Sequence, residues 1–449
     1  MYRKNYFILL FIAVLSGYGA LASAEQKVFE YALDNGMKVI IQRDHRAPVV
    51  VSQVWYKVGA SNEYSGITGV SHVLEHMMFK GTAEYPAGRF SEIIAENGGR
   101  ENAFTGRDYT AYYQFLGSDR LEISFKLEAD RMRNLSLPEE DFKKELEVVK
   151  EERFMRTEDE PQSLTYERFN AAAYFNSPYH QPIIGWMEDL NSLQVEDLRA
   201  WYDAWYQPNN ATLVVVGDVE PEAVLQLAKK YFEPIKPGNL TVVKPRLETP
   251  QRGERRVYVK ATAKVPYLMM GYPVPVLNTA EVDWEPYALD VLSSILDGGD
   301  SARLTRNLVR GQEIASMAGA SYSLSNRYQS QFVLTGAPAH GKSIVEVEKA
   351  LVAEVEKLRI DLVSDAELER VKAGVIASDT YQLDSVQYLA NQIGMLETVG
   401  VGWQLIDEYA DKIKAVTAEQ VREVAEKYLR DDRRTVAELQ PQAAEKPGA

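Results

Sequence analysis

Two histidines one helical turn apart, with a glutamate between them, stand in the stretch Gly69-Val70-Ser71-His72-Val73-Leu74-Glu75-His76-Met77-Met78. Side chains at i and i+4 project side by side from a helix. Two neutral imidazole nitrogens placed that way can meet one zinc ion at about 2.0–2.1 Å. A carboxylate beside the metal can take a proton from a bound water, whose pKa zinc lowers to about 7. The chain has only five histidines, at 45, 72, 76, 180 and 340, and two of them flank this glutamate. The spacing therefore predicts a metal-binding helix with Glu75 as general base.

The elements around these residues agree. Gly66, Thr68 and Gly69 before the stretch and Gly81 after it frame roughly three helical turns. At about 100° per residue, Val70, Val73, Leu74, Met77 and Met78 share one side, and His72, Glu75, His76 and Phe79 the other. A tetrahedral catalytic zinc takes three protein ligands and leaves the fourth position to water. A second predicted helix, Glu139 to Arg156 (EEDFKKELEVVKEERFMR), offers Glu145 and Glu152. They stand nearly two turns apart and so on one face.

His-x-x-Glu-His reverses the order of the His-Glu-x-x-His motif and is of the inverzincin type. With Glu-x6-Glu on a later helix, the chain resembles the pitrilysin (insulinase) family of zinc peptidases, among them bacterial exported relatives of the mitochondrial processing peptidase. The stretches RAPVV, WYKVGA, ENGGRENAFTGRDYTAYY, ADRM, VVKEER, SPYHQPIIGW and YQPNNATLVVVGDV carry the resemblance further through the N-terminal half. It implies one zinc per chain, held by His72, His76 and Glu152, with Glu145 close by in support of catalysis. The gap between the motifs is one residue shorter than usual in the family, which leaves the register open; Glu151 is a formal competitor, but it would shorten the gap further and break the seven-residue spacing to Glu145. The resemblance also implies that the substrate backbone pairs with an edge strand at Asn102, Ala103, Phe104 and Thr105. Single-chain relatives carry an arginine and, seven residues later, a tyrosine that bind and polarise the substrate. Here Arg310 is followed at that distance by Met317, which cannot donate a hydrogen bond.

A chain of 449 residues, 45% hydrophobic, is expected to form more than one domain. A formal charge of −15 disfavours a nucleic-acid partner. The opening segment MYRKNYFILLFIAVLSGYGALASA has Arg3 and Lys4, a short apolar run and Ala22-Ser23-Ala24. It reads as a signal peptide over residues 1–24, which implies export, most simply to the periplasm of a Gram-negative bacterium. No later stretch approaches 18 apolar residues, so a membrane span is not expected in the mature chain. There is no cysteine, which excludes disulfides, cysteine ligands and a cysteine nucleophile.

The patterning predicts an α+β protein of two similar α/β halves, each a mixed or antiparallel sheet packed with helices. Residues 25–235 form the metal-binding half, 236–256 a Pro- and Gly-rich linker, and 257–449 a homologous half without ligands. In the first half, strands are expected at 38–42 and 49–58, a hairpin at 100–105 and 109–116, and a strand at 211–216. Helices are expected at 89–97, 118–134, 139–156, 161–175, 195–205 and 221–231. In the second half, strands are expected at 257–261, 267–272, 317–324 and 331–337, and helices at 285–296, 341–358, 364–398 and 417–429. Laying Val73-Leu74 on Val291-Leu292 sets Asp290 against His72, Ser293 against Glu75 and Ser294 against His76.

The expected activity is a zinc endopeptidase cutting peptides or unfolded polypeptide segments. The alternative is a non-catalytic core-type subunit of the same fold. Because Met317 leaves the arginine–tyrosine pair incomplete, a dimer is expected, in which a homologous chain could supply that pair. His45, His180 and His340 are expected to be structural or at the surface, and Tyr109, Tyr112 and Tyr113 to be packing residues.

Overall fold

The structure is a computed structural model that describes residues 27–443 except residue 241. The expected signal peptide lies outside the described residues. No helix among those described is long and apolar enough to cross a membrane.

The first half contains β1 (Val28–Ala32), β2 (Lys38–Arg43), β3 (Val49–Tyr56), α1 (Val70–Met77), α2 (Arg89–Glu96), β4 (Arg100–Thr105) and β5 (Thr110–Gly117). It continues through α3 (Leu121–Asn134), α4 (Glu139–Arg153), a π-helical turn (Phe154–Glu158), α5 (Pro161–Ala173), α6 (Met187–Ser192), α7 (Val195–Trp205), β6 (Ala211–Gly217) and α8 (Pro221–Tyr231). The second half contains β7 (Arg255–Thr262), β8 (Tyr267–Val274), α9 (Glu285–Asp297), a π turn (Thr305–Gly311), β9 (Ala315–Ser321) and β10 (Ser330–Pro338). It ends with α10 (Ile344–Ile360), α11 (Asp365–Leu383), α12 (Val386–Val399), α13 (Leu405–Ala415), α14 (Ala418–Tyr428) and β11 (Thr435–Gln442).

Two mixed sheets result, ordered β1-β2-β6-β3-β5-β4 and β7-β11-β8-β10-β9. Set β1 aside and the orders correspond strand for strand. In each sheet the first pair of that common order is parallel and the rest are antiparallel. The two-halves expectation is thus met by topology as well as by the order of elements.

Each sheet is covered on both faces. Along β3, Val50, Val54 and Tyr56 enter the main core of the first half, while Val51 and Trp55 point the other way. That alternation lets an almost unbroken apolar strand be buried on both sides. The outer face of the first sheet is covered by α12 from the second half, through Leu389, Ala390 and Ile393. The second sheet receives α5 from the first half, through Phe169 and Ala173. A glycine marks each exchange. A Cβ on Gly394 would lie 2.1 Å from the Trp55 ring, and one on Gly271 would lie 2.2 Å from the Phe169 ring. The halves are therefore interlocked by swapped helices.

Some expectations fail for local reasons. The helix expected over 364–398 is two helices: α11 ends at Leu383, and the Ser385 hydroxyl accepts from the Tyr388 N–H at 3.3 Å to start α12. The helix expected from 341 starts at Ile344, where Ser343 caps it and Glu346 closes a capping box. Sequence patterning also missed β1, α6, α13 and β11. The last of these contains Pro441 yet pairs in parallel with β7 and antiparallel with β8.

Candidate metal centre

Helix α1 turns Val70, Val73, Leu74 and Met77 into the core of the first half. That fixes His72, Glu75 and His76 on the face toward α4 and β4. Its N-terminus is tightly built. Gly69 has φ 89°, and a Cβ there would lie 2.7 Å from the Ile184 carbonyl oxygen. The buried carboxylate of Glu63 accepts the N–H of Gly69 at 2.8 Å and of Ser71 at 2.9 Å. These are donors that the first turn cannot satisfy within the helix.

Burial pushes Glu63 up to about 7, against the opposing pull of those backbone N–H groups. The folded chain therefore holds this proton more tightly than the unfolded one. The group's contribution to stability is full below about 4.5 and is lost as pH rises through about 7. Glu63→Gln is expected to flatten that decline, read as melting temperature from pH 5 to 8. Glu63→Ala is expected to cost about 1–3 kcal/mol for each donor left without an acceptor.

His72, His76 and Glu152 come together, with one possible ligand atom of each lying within 4.8 Å of the others. No other three such side chains do so among the described residues. Glu152 Oε2 is 3.4 Å from His76 Nε2, and Oε1 is 3.9 Å from His72 Nε2. Donors at about 2.0–2.1 Å from one tetrahedral zinc stand roughly 3.4 Å apart, so the set fits that ion. The chemistry fits as well: burial, with His76 and Arg156 adding to it, pushes His72 down to about 3 and so keeps its imidazole neutral. Of the two neighbouring glutamates left open by the sequence, Glu151 is exposed and Glu152 joins the histidines.

Glu145, one face-repeat earlier on α4, contacts His76 Nδ1 through Oε2 at 3.2 Å. Its other oxygen accepts from Lys80 Nζ at 2.6 Å. With Nδ1 donating to Glu145, Nε2 of His76 keeps its lone pair on the side of Glu152. Glu75 is held from β4, where Thr105 Oγ1 donates to its Oε2 at 2.5 Å. Burial raises the Glu75 pKa, and the Thr105 hydrogen bond lowers it in part.

His72, Glu75, His76, Thr105 and Glu152 line a cavity of about 710 Å³, together with Asn102, Ala103 and Phe104. Strand β4 is the edge of its sheet, as expected. The Ala103 N–H turns away from β5 and is accepted by Asn102 Oδ1 at 2.9 Å.

The profile of the family described as Insulinase (Peptidase family M16) matches residues 38–186, and that of the Peptidase M16 inactive domain matches residues 192–375. The zinc protease PqqE of Helicobacter pylori is 32% identical over 91% of this chain and 92% of its own. This chain belongs to the insulinase (M16) family. A crystal structure of a protease from Helicobacter pylori superposes with a TM-score of 0.87 at 31% identity, over 92% of this chain and 100% of that one. The periplasmic protease PqqL of Escherichia coli shares the fold, with a TM-score of 0.79 at 20% identity, over 93% of this chain and 48% of that one. The family is one of zinc peptidases.

In this M16 chain the second half has a cavity of its own beside the helix that the sequence set against α1. This cavity, of about 390 Å³, opens beside α9 and α11 and is lined by Asp290, Ser294 and Asp379. Tyr409 donates to Asp290 at 2.5 Å. Asp290 and Ser294 are the residues that the sequence set against His72 and His76.

Arg310 is not brought to the metal cavity of its own chain, whose lining residues all precede the linker. It pairs instead with Asp300 at 3.0 Å, on the π turn of the second half. The reading of Arg310 as a substrate-binding residue is corrected for a single chain. Conversely, the sequence passed over His180, whose Nδ1 donates to the Ser177 carbonyl at 2.7 Å and whose ring borders the cavity. It also passed over Lys80 and Arg156. Both were accessible as i+4 neighbours, of His76 and Glu152 respectively, and Arg156 Nη1 lies 2.6 Å from Glu152 Oε1.

Proposed function

We propose that this chain is a zinc-dependent endopeptidase that cuts peptides or unfolded polypeptide segments. The meeting of His72, His76 and Glu152 at a cavity bordered by an open strand edge, with Glu75 beside them, carries this reading. One zinc ion per chain, held by those three side chains, would polarise the scissile carbonyl and acidify a water. Glu75 then takes the proton of the attacking water and delivers it to the leaving amine. Thr105 fixes one oxygen of that carboxylate and leaves the other for the proton. The free edge of β4 takes the substrate main chain as an added strand, with Asn102 Oδ1 giving up the Ala103 N–H. A non-catalytic core subunit would have no use for this complete set of ligands and base.

The test is metal analysis of the mature chain and digestion of a quenched unstructured peptide. Near-stoichiometric zinc and chelator-sensitive hydrolysis are expected. A chain that binds no zinc would remove the reading.

The working form we propose is a dimer with a homologous chain that contributes an arginine and a tyrosine over this zinc. The cavity takes no wall from its own second half, and Met317 stands where the tyrosine was expected. Donors aimed at the developing oxyanion are worth about 2.7–4 kcal/mol each. Adding the partner is expected to raise kcat/KM by roughly 100-fold or more. Full activity of the isolated chain, unchanged in Met317→Tyr, would exclude the heterodimer. Export to the periplasm is proposed from the leader-like first 24 residues.

A further inference from the structure

One cation in the cavity wall is not used by the metal centre. Arg107 sits in the turn between β4 and β5, half-buried, with its guanidinium carbon 5.9 Å from the Tyr166 ring and 5.1 Å from the Tyr179 ring. Nη2 donates to the Tyr166 hydroxyl at 3.1 Å, and Nε is buried without an acceptor. No carboxylate pairs with it among the described residues. A guanidinium stays charged at any ordinary pH, and its planar fork matches a carboxylate.

The nearby carboxylates are committed elsewhere. Asp108 accepts from Ser61, Tyr179 and Arg327. Glu167 holds Arg153 through both oxygens, and Glu152 pairs with Arg156. The chain as a whole carries −15, so a free guanidinium in this cavity is not a reflection of general basicity.

We propose that Arg107 is the receptor for a carboxylate of the bound peptide, either an acidic side chain or the α-carboxylate. This rests on the peptidase reading. The place follows from the strand. Arg107 lies two residues beyond Thr105, whose hydroxyl holds the general base. At about 3.3 Å per residue, a peptide added to β4 reaches Arg107 two or three residues from the bond cleaved. The aromatic walls keep the guanidinium in place, so little side-chain freedom is lost on binding.

The experiment reads binding, so that it does not depend on turnover. Full-length zinc-loaded chain carrying Glu75→Gln is titrated with fluorescent ten-residue peptides. One series moves a single Glu or Gln along the peptide; another compares the C-terminal acid with the amide. The expected result is a preference of about tenfold or more for Glu over Gln at one or two positions, or for acid over amide, which identifies the source of the carboxylate. Arg107→Met abolishes the preference, and Arg107→Lys retains part of it. An unchanged preference in Arg107→Met, or no preference at any position in the parent, would overturn the proposal. If Arg107→Met does not fold, the Arg107→Lys ratio decides: it must fall below that of the parent. Failure of the wild-type chain to cut any peptide would instead count against the peptidase reading.

Discussion

Glu75→Gln is expected to lower kcat by about 10²–10⁴-fold while zinc content stays unchanged. The amide keeps the size of the carboxylate and can still accept the Thr105 hydroxyl, so α1 and β4 need not move. What it cannot do is take a proton from water. Burial raises the Glu75 pKa above the ordinary 4.5, which brings the base nearer to working pH. A zinc ion bound beside it would favour the charged carboxylate and oppose that shift, so the acid limb of the rate profile is expected to follow Glu75 with its position set by the two together, activity falling as pH drops and Glu75 protonates. Thr105→Val removes a hydrogen bond that favours the charged form, so it is expected to shift that limb upward. Peptide hydrolysis across pH, with metal analysis of each variant, measures both effects. Near-normal turnover in Glu75→Gln would take Glu75 out of the mechanism.

How far the sequence carried the site depended on whether the information was local. His72, Glu75 and His76 sit within one helical turn and a half, so their geometry follows from helix periodicity alone. Glu152 lies on another helix, where periodicity favoured it as the partner of Glu145 but the short gap from His76 left Glu151 open. Only the packing of α4 on α1 separates the two, exposing one and turning the other toward the histidines. His180 ends a single 3-10 turn, Pro178–His180, and Arg107 sits in a loop; no repeat fixes direction at either, and their place at the cavity emerges only from the tertiary fold. Arg310 was read by analogy with single-chain relatives, and in this chain it lies in the second half, facing Asp300. The fold shows the same division. Most strands and helices follow from runs of apolar residues and their caps. The exchange of α5 and α12 between sheets does not, because a helix pattern says which face is apolar and not which sheet will cover it. Strand β11 was hidden by Pro441 and its polar neighbours, which are tolerated near the end of a strand, beyond its pairing with β8.

Glu152→Gln is expected to cost the chain its zinc, whereas Glu145→Gln keeps the ion at an affinity reduced by roughly 10–100-fold. The difference follows from what each carboxylate touches. Glu152 faces both imidazoles, at 3.4 and 3.9 Å, and is the only carboxylate in that cluster. An amide there offers a neutral oxygen in place of an anion, to a site whose other two ligands are also neutral. Glu145 reaches only Nδ1 of His76, on the far side of the ring from the cluster. Glutamine at 145 can still accept that N–H, but it no longer stabilises the ring by charge and no longer pairs with Lys80. Lys80→Met is then expected to act in the same direction as Glu145→Gln and more weakly. Competition of each variant against a zinc chelator gives the three affinities directly. Zinc loss in Glu151→Gln, with Glu152→Gln still metal-bound, would mean that α4 presents the neighbouring face to the histidines and that the ligand assignment is off by one residue.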